Sequence, residues 1–158
     1  MRSRRILFPA IAIFFVWTWS VEAGELTVED PWVMLPPPQS VAAAFMKIHN
    51  DTDEVVVLVG ATSPQADRVE IHQSLVSDGV ASMEELKEVS IPAGETLVLA
   101  PKGTHLMLFE PKGLEEGGQV TFELDFKPER KLRTQAEVRR MGPARQSHEG
   151  HHSHHSHH

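Results

Sequence analysis

The chain has 158 residues, which is enough for one domain and little more. It contains 15 basic residues, 22 acidic residues and no cysteine. The acidic balance argues against nucleic acid as a partner, because nucleic-acid recognition needs a basic face. The absence of cysteine argues against a disulfide framework, a lipid-modified cysteine and a blue-copper centre, which requires a Cys thiolate.

The first 23 residues have the pattern of a secretory signal peptide. Three arginines lie within the first five positions, and an apolar stretch follows over residues 6–21. That stretch is shorter than the roughly 20 residues of a spanning helix, and Pro9 interrupts it. We therefore predict cleavage after Ala23 and no stable membrane insertion afterwards, with a retained anchor as the alternative. Cleavage would leave 12 basic and 21 acidic residues, a net charge near −9 that favours cation capture or docking on a basic surface.

Residues 24–140 have the pattern of a series of short strands. Apolar and polar residues alternate, or β-branched residues cluster, between turn signals spaced about 8–12 residues apart. No internal repeat and no long helical pattern is evident, so the sequence predicts an antiparallel sandwich or barrel. The first strand is expected to end at Asp30-Pro31. The candidate strands are Glu25–Glu29, Val41–His49, Glu54–Ala61, Arg68–His72, Val80–Glu85, Glu95–Ala100, Thr104–Glu110, Gln119–Phe126 and Leu132–Val138.

Four residues in this domain form a candidate metal site: His72, Met83, His105 and Met107. Taken singly, each is more often structural, since methionine usually packs in cores. Residues two apart in a strand face the same way, so His105 and Met107 would project together. The alternation in residues 68–72 likewise places His72 away from the core. Two imidazoles and two thioethers form a neutral, soft donor set that suits Cu(I) better than Mg²⁺, Ca²⁺ or Mn²⁺.

The spacing His-x10-Met-x21-His-x-Met resembles the signature of the PCu(A)C family of periplasmic copper chaperones. The surrounding text follows that family's order over Leu26–Phe126, and the matching segments are DPWV, SVAAAFMKIHN, LVGATSPQADRVEIH and VSIPAGETLVLAPKGTHLML. The resemblance implies an all-β, cupredoxin-like antiparallel β-sandwich or Greek-key barrel. It also implies that His72, Met83, His105 and Met107 hold Cu(I) in the periplasm.

The resemblance further implies delivery of copper to an acceptor. The expected acceptor is the copper-A centre of cytochrome c oxidase subunit II, with a Sco-type thiol protein as a further partner. Two alternatives stay open: a periplasmic copper or zinc buffer without a specific acceptor, and a β-sandwich adhesion or structural module. We predict no enzyme, because no Ser-His-Asp order, phosphate-binding loop or paired-carboxylate motif appears. A monomer is expected, with metal bridging between copies as the alternative. Trp32, Met34, Met46 and His49 lie outside the four-residue pattern and are interpreted as structural.

Residues 141–158 are expected to form a disordered tail, because they lack apolar periodicity. We interpret the tail as native, since Ser, Glu and Gly interrupt its histidines; an expression tag is the alternative. Such a tail is a candidate Cu(II) site that would also take Zn²⁺ or Ni²⁺, and capture should weaken below about pH 6.5 as histidine protonates. Its seven histidines are His148, His151, His152, His154, His155, His157 and His158.

Overall fold

Strands account for all the regular structure in the part of the chain that the computed structural model describes, residues 24–37, 40–77 and 79–140. No helix in these ranges is long and apolar enough to cross a membrane. The predicted signal peptide at 1–23 and the predicted tail at 141–158 lie outside the described residues, so both stay predictions. In chain order the strands are β1 (Leu26–Met34), β2 (Ala42–Asn50), β3 (Val56–Thr62), β4 (Arg68–Ser77), β5 (Val80–Leu86), β6 (Val89–Ile91), β7 (Thr96–Leu99), β8 (Thr104–Phe109), β9 (Gln119–Lys127) and β10 (Arg130–Arg139).

Seven of the strands close into a barrel. Neighbours run in the order β4, β8, β2, β1, β10, β9, β3, and the ring closes where Ala61 of β3 pairs with Val69 of β4. Every pair in the ring is antiparallel except β1 with β10, which is parallel. The remaining strands extend the sheet outside the ring, β5 from β4, β6 from β3 and β7 from β2. The predicted all-β, cupredoxin-like architecture is confirmed.

Inward-facing apolar side chains fill the barrel. On β9 every second residue from Val120 to Phe126 is buried, as the alternation predicts. Burying each such side chain contributes about 1.5–3 kcal/mol. On β4 and β8 the inward positions are Ile71, Leu106 and Leu108, all buried. The alternate positions of these two strands therefore face outward, where they are free of the core.

Strand β1 does not end at Asp30-Pro31, so that prediction was wrong. The register with β2 shifts between Glu29 and Trp32, and Asp30 takes a positive φ of 42°. This bulge accommodates Pro31, which has no N–H to give to a regular ladder. Pairing resumes at Trp32 and continues to Met34, which places both side chains on the sheet beside β2.

The chain reverses between β4 and β5 where the sequence predicts a turn. Ser77 pairs with Val80, and Gly79 between them has a φ of 80°, which glycine adopts without steric strain. The return strand carries Met83, as expected. Strand β6 was not predicted, because its three residues are too few to show a period of two.

Candidate metal centre

His72 and His105 lie directly opposite each other on the outer face of the barrel. Strands β4 and β8 are antiparallel, and their register pairs these two residues. The imidazole centroids are 6.3 Å apart. Ile71 and Leu106, which also pair with each other, point into the core. Two residues that are 33 positions apart in the sequence therefore present their rings side by side on one face.

Met107 shares that face. It follows His105 by two positions on β8 and is half-buried, while the leucines on either side of it are fully buried. Across the sheet it pairs with Glu70 of β4 and with Ala43 of β2. The small alanine leaves room above the sheet next to the thioether. The alternation of side chains along β8 therefore gives His105 and Met107 the common orientation that the sequence predicts.

Met83 lies on the same face but on the outermost strand. Strand β5 pairs only with β4, where Met83 stands opposite Ser74 and Glu85 stands opposite His72. Met83 is 60% exposed. Its thioether is therefore much more open to solvent than the other three candidate ligands.

The two methionines lie on opposite sides of the histidine pair. Along β4, Met83 is level with Ser74 and Met107 is level with Glu70, four residues away. In an untwisted sheet this offset is about 13 Å along the strand, with two strand spacings of about 4.8 Å across it. At that separation in an untwisted sheet, two methionine side chains would not reach one ion together. Twisting or bending of the β4–β5 hairpin toward β8 is what would bring Met83 to the histidines.

The side chains of Arg68, Glu70 and His72 are hydrogen-bonded in series along β4. Arg68 Nε donates to Glu70 Oε1 at 2.5 Å, and His72 Nε2 donates to Glu70 Oε2 at 2.8 Å. The Arg68 guanidinium lies 4.0 Å from the centroid of the Phe109 ring. The hydrogen bond from His72, and then the bond from Arg68, lower the pKa of the Glu70 carboxyl despite its partial burial. Glu70 therefore stays ionised and accepts from both neighbours.

His72 and His105 differ in which ring nitrogen lacks a hydrogen-bond partner. His72 Nδ1 is buried and has no hydrogen-bond partner. At His105, which is 4% exposed, Nδ1 donates to the carbonyl oxygen of Gly103 at 3.0 Å. The second nitrogen of His105 makes no hydrogen bond to the described residues. A buried orphan nitrogen opposite a second imidazole is a suitable arrangement for a metal ion.

An aromatic row borders the histidines. Trp32 stacks on Phe45 with centroids 4.6 Å apart, and Phe45 lies 6.2 Å from His105. Phe45 is buried although it is not part of the barrel core. On the other side, Phe109 lies 6.2 Å from His72. These rings surround the imidazoles with apolar surface and lower the local polarity.

Sequence reasoning missed three contributors to this site: Arg68, Glu70 and Phe45. The alternation of residues 68–72 did place Glu70 on the face of His72, and this was the signal that could have found it. Phe45 lies in an apolar run with no visible period, so nothing in the sequence distinguishes it from core residues.

His49 does not join this site. His49 bonds Thr96 Oγ1 at 2.8 Å and Asp51 Oδ1 at 3.1 Å, fastening β2 to β7 and to the following turn. The seven tail histidines lie outside the described residues. Within the described ranges, no group of three or more His, Cys, Asp or Glu side chains is placed to hold a metal ion. On this face of the described sheet, Met83 and Met107 are further soft donors beside the His72–His105 pair.

The sequence comparison identifies the family. The model of the LpqE-like family matches residues 26–138. A protein named as a lipoprotein, Lxx21020 from Leifsonia xyli subsp. xyli, is 36% identical over 107 residues. That match covers 66% of this chain and 64% of the relative. Both names describe lipoproteins, whereas none of the 158 residues here is a cysteine.

Solved structures agree with the fold. Cu(I)-bound DR1885 from Deinococcus radiodurans is 32% identical, with a TM-score of 0.63 over 77% of this chain and 83% of that one. The copper-bound PCuAC domain from PmoF2 is 21% identical, with a TM-score of 0.62 over 75% of this chain and 95% of that one. The apo PCuAC domain from PmoF1 is 25% identical, with a TM-score of 0.62 over 75% and 97%. This chain belongs to the LpqE-like family, and its barrel is a PCuAC-type domain.

Proposed function

We propose that this protein is a copper chaperone that binds Cu(I) through His72, Met83, His105 and Met107 and passes it to an acceptor. The observation that carries the proposal is the pairing of His72 with His105 on a face that also holds both thioethers. The two copper-bound neighbours support the choice of metal. Neutral imidazole and thioether donors suit Cu(I), which is the cargo rather than a resident cofactor.

Release follows from the position of Met83. Three of the ligands lie on ring strands, whereas Met83 is on an edge strand and is mostly exposed. Incoming ligands of an acceptor reach this thioether first and displace it while the histidines still hold the ion. The copper then moves through an intermediate in which both proteins share it. The proposed acceptor is the copper-A centre of cytochrome c oxidase subunit II, with a Sco-type thiol protein as the proposed further partner.

An anaerobic Cu(I) competition titration tests the site. The full chain is used with its seven tail histidines replaced by alanine, so that the barrel is measured alone. We expect one Cu(I) to bind per chain. Met83→Leu and His105→Ala should each lower the Cu(I) affinity by more than the roughly 10–100-fold loss that follows removal of a group that only hydrogen-bonds a ligand. Met46→Leu and His49→Ala are matched controls, because Met46 is in the core and His49 bonds elsewhere.

Metal-free melting curves of all variants show whether each still folds. Equal Cu(I) affinity in the parent and in a folded His105→Ala variant would refute the proposed site. Weak binding in the parent that no substitution changes would do the same.

Export and tail capture belong to the same proposal. We propose that the chain is exported to the periplasm with cleavage after Ala23, and mass spectrometry of the exported protein tests the cleavage position.

The tail is proposed to collect Cu(II), which an external reductant converts to Cu(I) before it enters the barrel. Truncation after Arg140 should then reduce copper delivery only when copper is scarce, and unchanged delivery under those conditions would contradict a role for the tail.

The density of tail histidines favours one further candidate, a copper or zinc buffer. A buffer holds most of its metal on the tail, and its release rate does not depend on the acceptor. The rate at which the Cu(I)-loaded barrel releases its copper, measured with and without the soluble domain of subunit II, separates the two functions. Acceleration by the acceptor supports the chaperone.

A further inference from the structure

We propose that Glu70 is a positioning residue that holds His72 so that Nδ1 is its ligating atom, while His105 ligates through Nε2. This inference rests on the proposed copper site and adds to it the ligating atoms and the groups that select them. Neither imidazole is free to choose its nitrogen, because an acceptor on the protein occupies one nitrogen of each ring.

Glu70 determines the tautomer of His72. An ionised carboxylate only accepts hydrogen bonds, so the 2.8 Å contact requires a proton on His72 Nε2. In the neutral ring the lone pair is then on Nδ1. Metal-ligating histidines commonly donate their other N–H to a carboxylate or a carbonyl in this way, which sets the ring's orientation.

The geometry leaves Nδ1 of His72 as the atom that needs a partner. It is buried without a hydrogen bond, and within the described ranges it is the one side-chain nitrogen or oxygen in that condition. An unpaired buried polar atom is destabilising, so native structures keep few of them. The ring opposite is His105, 6.3 Å away between centroids. A cation at Nδ1 would supply the missing interaction.

Arg68 and Phe109 hold Glu70 in place. The Arg68 guanidinium bonds Glu70 Oε1 and packs on the Phe109 ring, so the carboxylate has one oxygen for the arginine and one for His72. The register pairs Arg68 with Phe109 directly across β4 and β8, the same two strands that carry the histidines. Arg68, Glu70 and Phe109 therefore lie on the same pair of strands as the two histidines.

His105 is held in the opposite sense. A carbonyl oxygen also only accepts, so its Nδ1 carries the proton that Gly103 binds, and Nε2 has the lone pair. The register sets this contact too, because Ser74 N donates to the same Gly103 oxygen at 3.1 Å. One histidine thus presents its near nitrogen and the other its far nitrogen, which lets two rings on adjacent strands approach one ion from different heights above the sheet.

Long-range proton–nitrogen NMR of the imidazoles tests the assignment directly. The sample is the full chain with the seven tail histidines replaced by alanine, before and after addition of one equivalent of Cu(I) under anaerobic conditions. We expect His72 protonated on Nε2 and His105 on Nδ1 in both states. The large nitrogen shift on Cu(I) addition should fall on His72 Nδ1 and on His105 Nε2.

Substitutions test the role of Glu70 separately. Glu70→Ala should lower Cu(I) affinity by about 10–100-fold, the usual effect of removing a carboxylate that orients a ligating histidine. Glu70→Gln keeps an accepting oxygen and should restore part of that loss. Glu85→Gln is the matched control, because Glu85 stands opposite His72 on β5 but bonds Lys87 instead. It should leave the affinity unchanged.

The outcomes separate this inference from the proposed function. If neither imidazole shifts on Cu(I) addition, the copper site itself is refuted. If Cu(I) shifts His72 Nε2 instead of Nδ1, the copper site stands and the assignment is overturned. If Glu70→Ala binds like the parent, or if Glu85→Gln weakens binding as much as Glu70→Ala, Glu70 acts at most through its charge and is not a positioning residue.

Discussion

Asn50 is fully buried and yet has a partner for each of its polar side-chain atoms. Its amide nitrogen donates to the carbonyl oxygens of Glu54 and Ile91, and its amide oxygen accepts from Thr52. A single side chain thereby joins the end of β2 to the turn before β3 and to the end of β6. The Ile91 carbonyl oxygen is the buried acceptor among these partners, whereas the Glu54 carbonyl oxygen is only partly buried and also accepts from Thr52 Oγ1.

Replacing Asn50 with leucine should destabilise the domain strongly. The substitution removes the Asn50 donor to the buried Ile91 carbonyl oxygen and the acceptor for Thr52, and each buried polar group left unpaired costs about 1–3 kcal/mol. Urea unfolding of the metal-free protein measures the loss. His49→Ala, at the neighbouring and partly exposed position, is the control and should change the unfolding free energy much less. A stability equal to the parent would contradict the role given to Asn50.

Adjacent residues on β8 should separate stability from metal binding. Leu106→Ala opens a cavity in the core and should destabilise the metal-free protein by about 2–5 kcal/mol. Met107→Leu conserves volume at a half-buried position and should cost less than about 1.5 kcal/mol. We expect Cu(I) affinity to fall sharply in Met107→Leu, as measured by competition titration. A Met107→Leu variant with normal affinity would remove this thioether from the ligand set.

At the scale of elements, the β4–β5 hairpin differs from the rest of the sheet. Strand β5 has one neighbour among the described strands, and all its residues except Leu86 are exposed. Near the turn, Val76 of β4 and Val80 of β5 are also exposed. The backbone bonds of β5 therefore open without unfolding the barrel. This is the element that must bend if Met83 is to join the other ligands.

Amide hydrogen exchange should show this difference and its loss on metal binding. In the metal-free protein we expect β5 amides to exchange faster than those of β8, which is paired on both sides as one of the seven strands of the ring. Cu(I) should slow exchange in β5 because Met83 then ties the hairpin to the histidines. Met83→Leu is the control in which slowing should be absent. Slowing of β5 to the same degree in that variant would mean that Met83 does not close the hairpin.

The β9–β10 hairpin predicts a dependence of stability on pH. Glu123 accepts a hydrogen bond from Lys131, which lowers the pKa of the Glu123 carboxyl below its ordinary value of 4.5. A carboxyl with a lowered folded-state pKa contributes stability above its unfolded pKa and loses it as pH falls through the folded pKa. The difference in unfolding free energy between the parent and Glu123→Gln should therefore be present at pH 7 and shrink below about pH 4.5. Denaturant titrations at several pH values measure it, and the same difference at pH 7 and pH 2 would contradict the pairing.

At the scale of the whole molecule, the proposed metal site joins parts of the chain that are distant in sequence. The four proposed ligands lie on β4, β5 and β8, and β4 also closes the ring through β3. An ion held by these strands binds the folded barrel and not the extended chain. Metal binding and folding are therefore linked by mass action.

Cu(I) should raise the unfolding free energy by about 2.7 kcal/mol when free Cu(I) is a hundredfold above its dissociation constant. Thermal or urea unfolding with a Cu(I) buffer measures the gain. Replacing the seven tail histidines should leave the gain unchanged, because the four proposed ligands lie on barrel strands and their edge hairpin. His105→Ala should abolish it. A gain that disappears with the tail histidines would assign the tight metal site to the tail.

Much of the domain follows from local patterns in the sequence. The alternation along β9, the turn at Gly79 and the common face of His105 and Met107 depend only on residues near in sequence, so all were predictable. The end predicted at Asp30-Pro31 failed because a bulge absorbs the proline while β2 continues to pair on either side. Strand β6 and the parallel β1–β10 pair depend on distant partners and left no local signal.

By itself the sequence determined the donor types, their spacing and the side of each strand on which they lie, because a strand's period of two is a local property. Only the tertiary structure decided which donors meet. The register of β4 with β8 brings His72 to His105, and the strand order leaves Met83 exposed on the edge strand. The contact of Glu70 with His72 is local to β4, and the alternation along that strand already places both residues on one face. Strands β4 and β8 are not joined by a short turn, so local turn chemistry does not set their register, which arises from pairing between residues far apart in the chain.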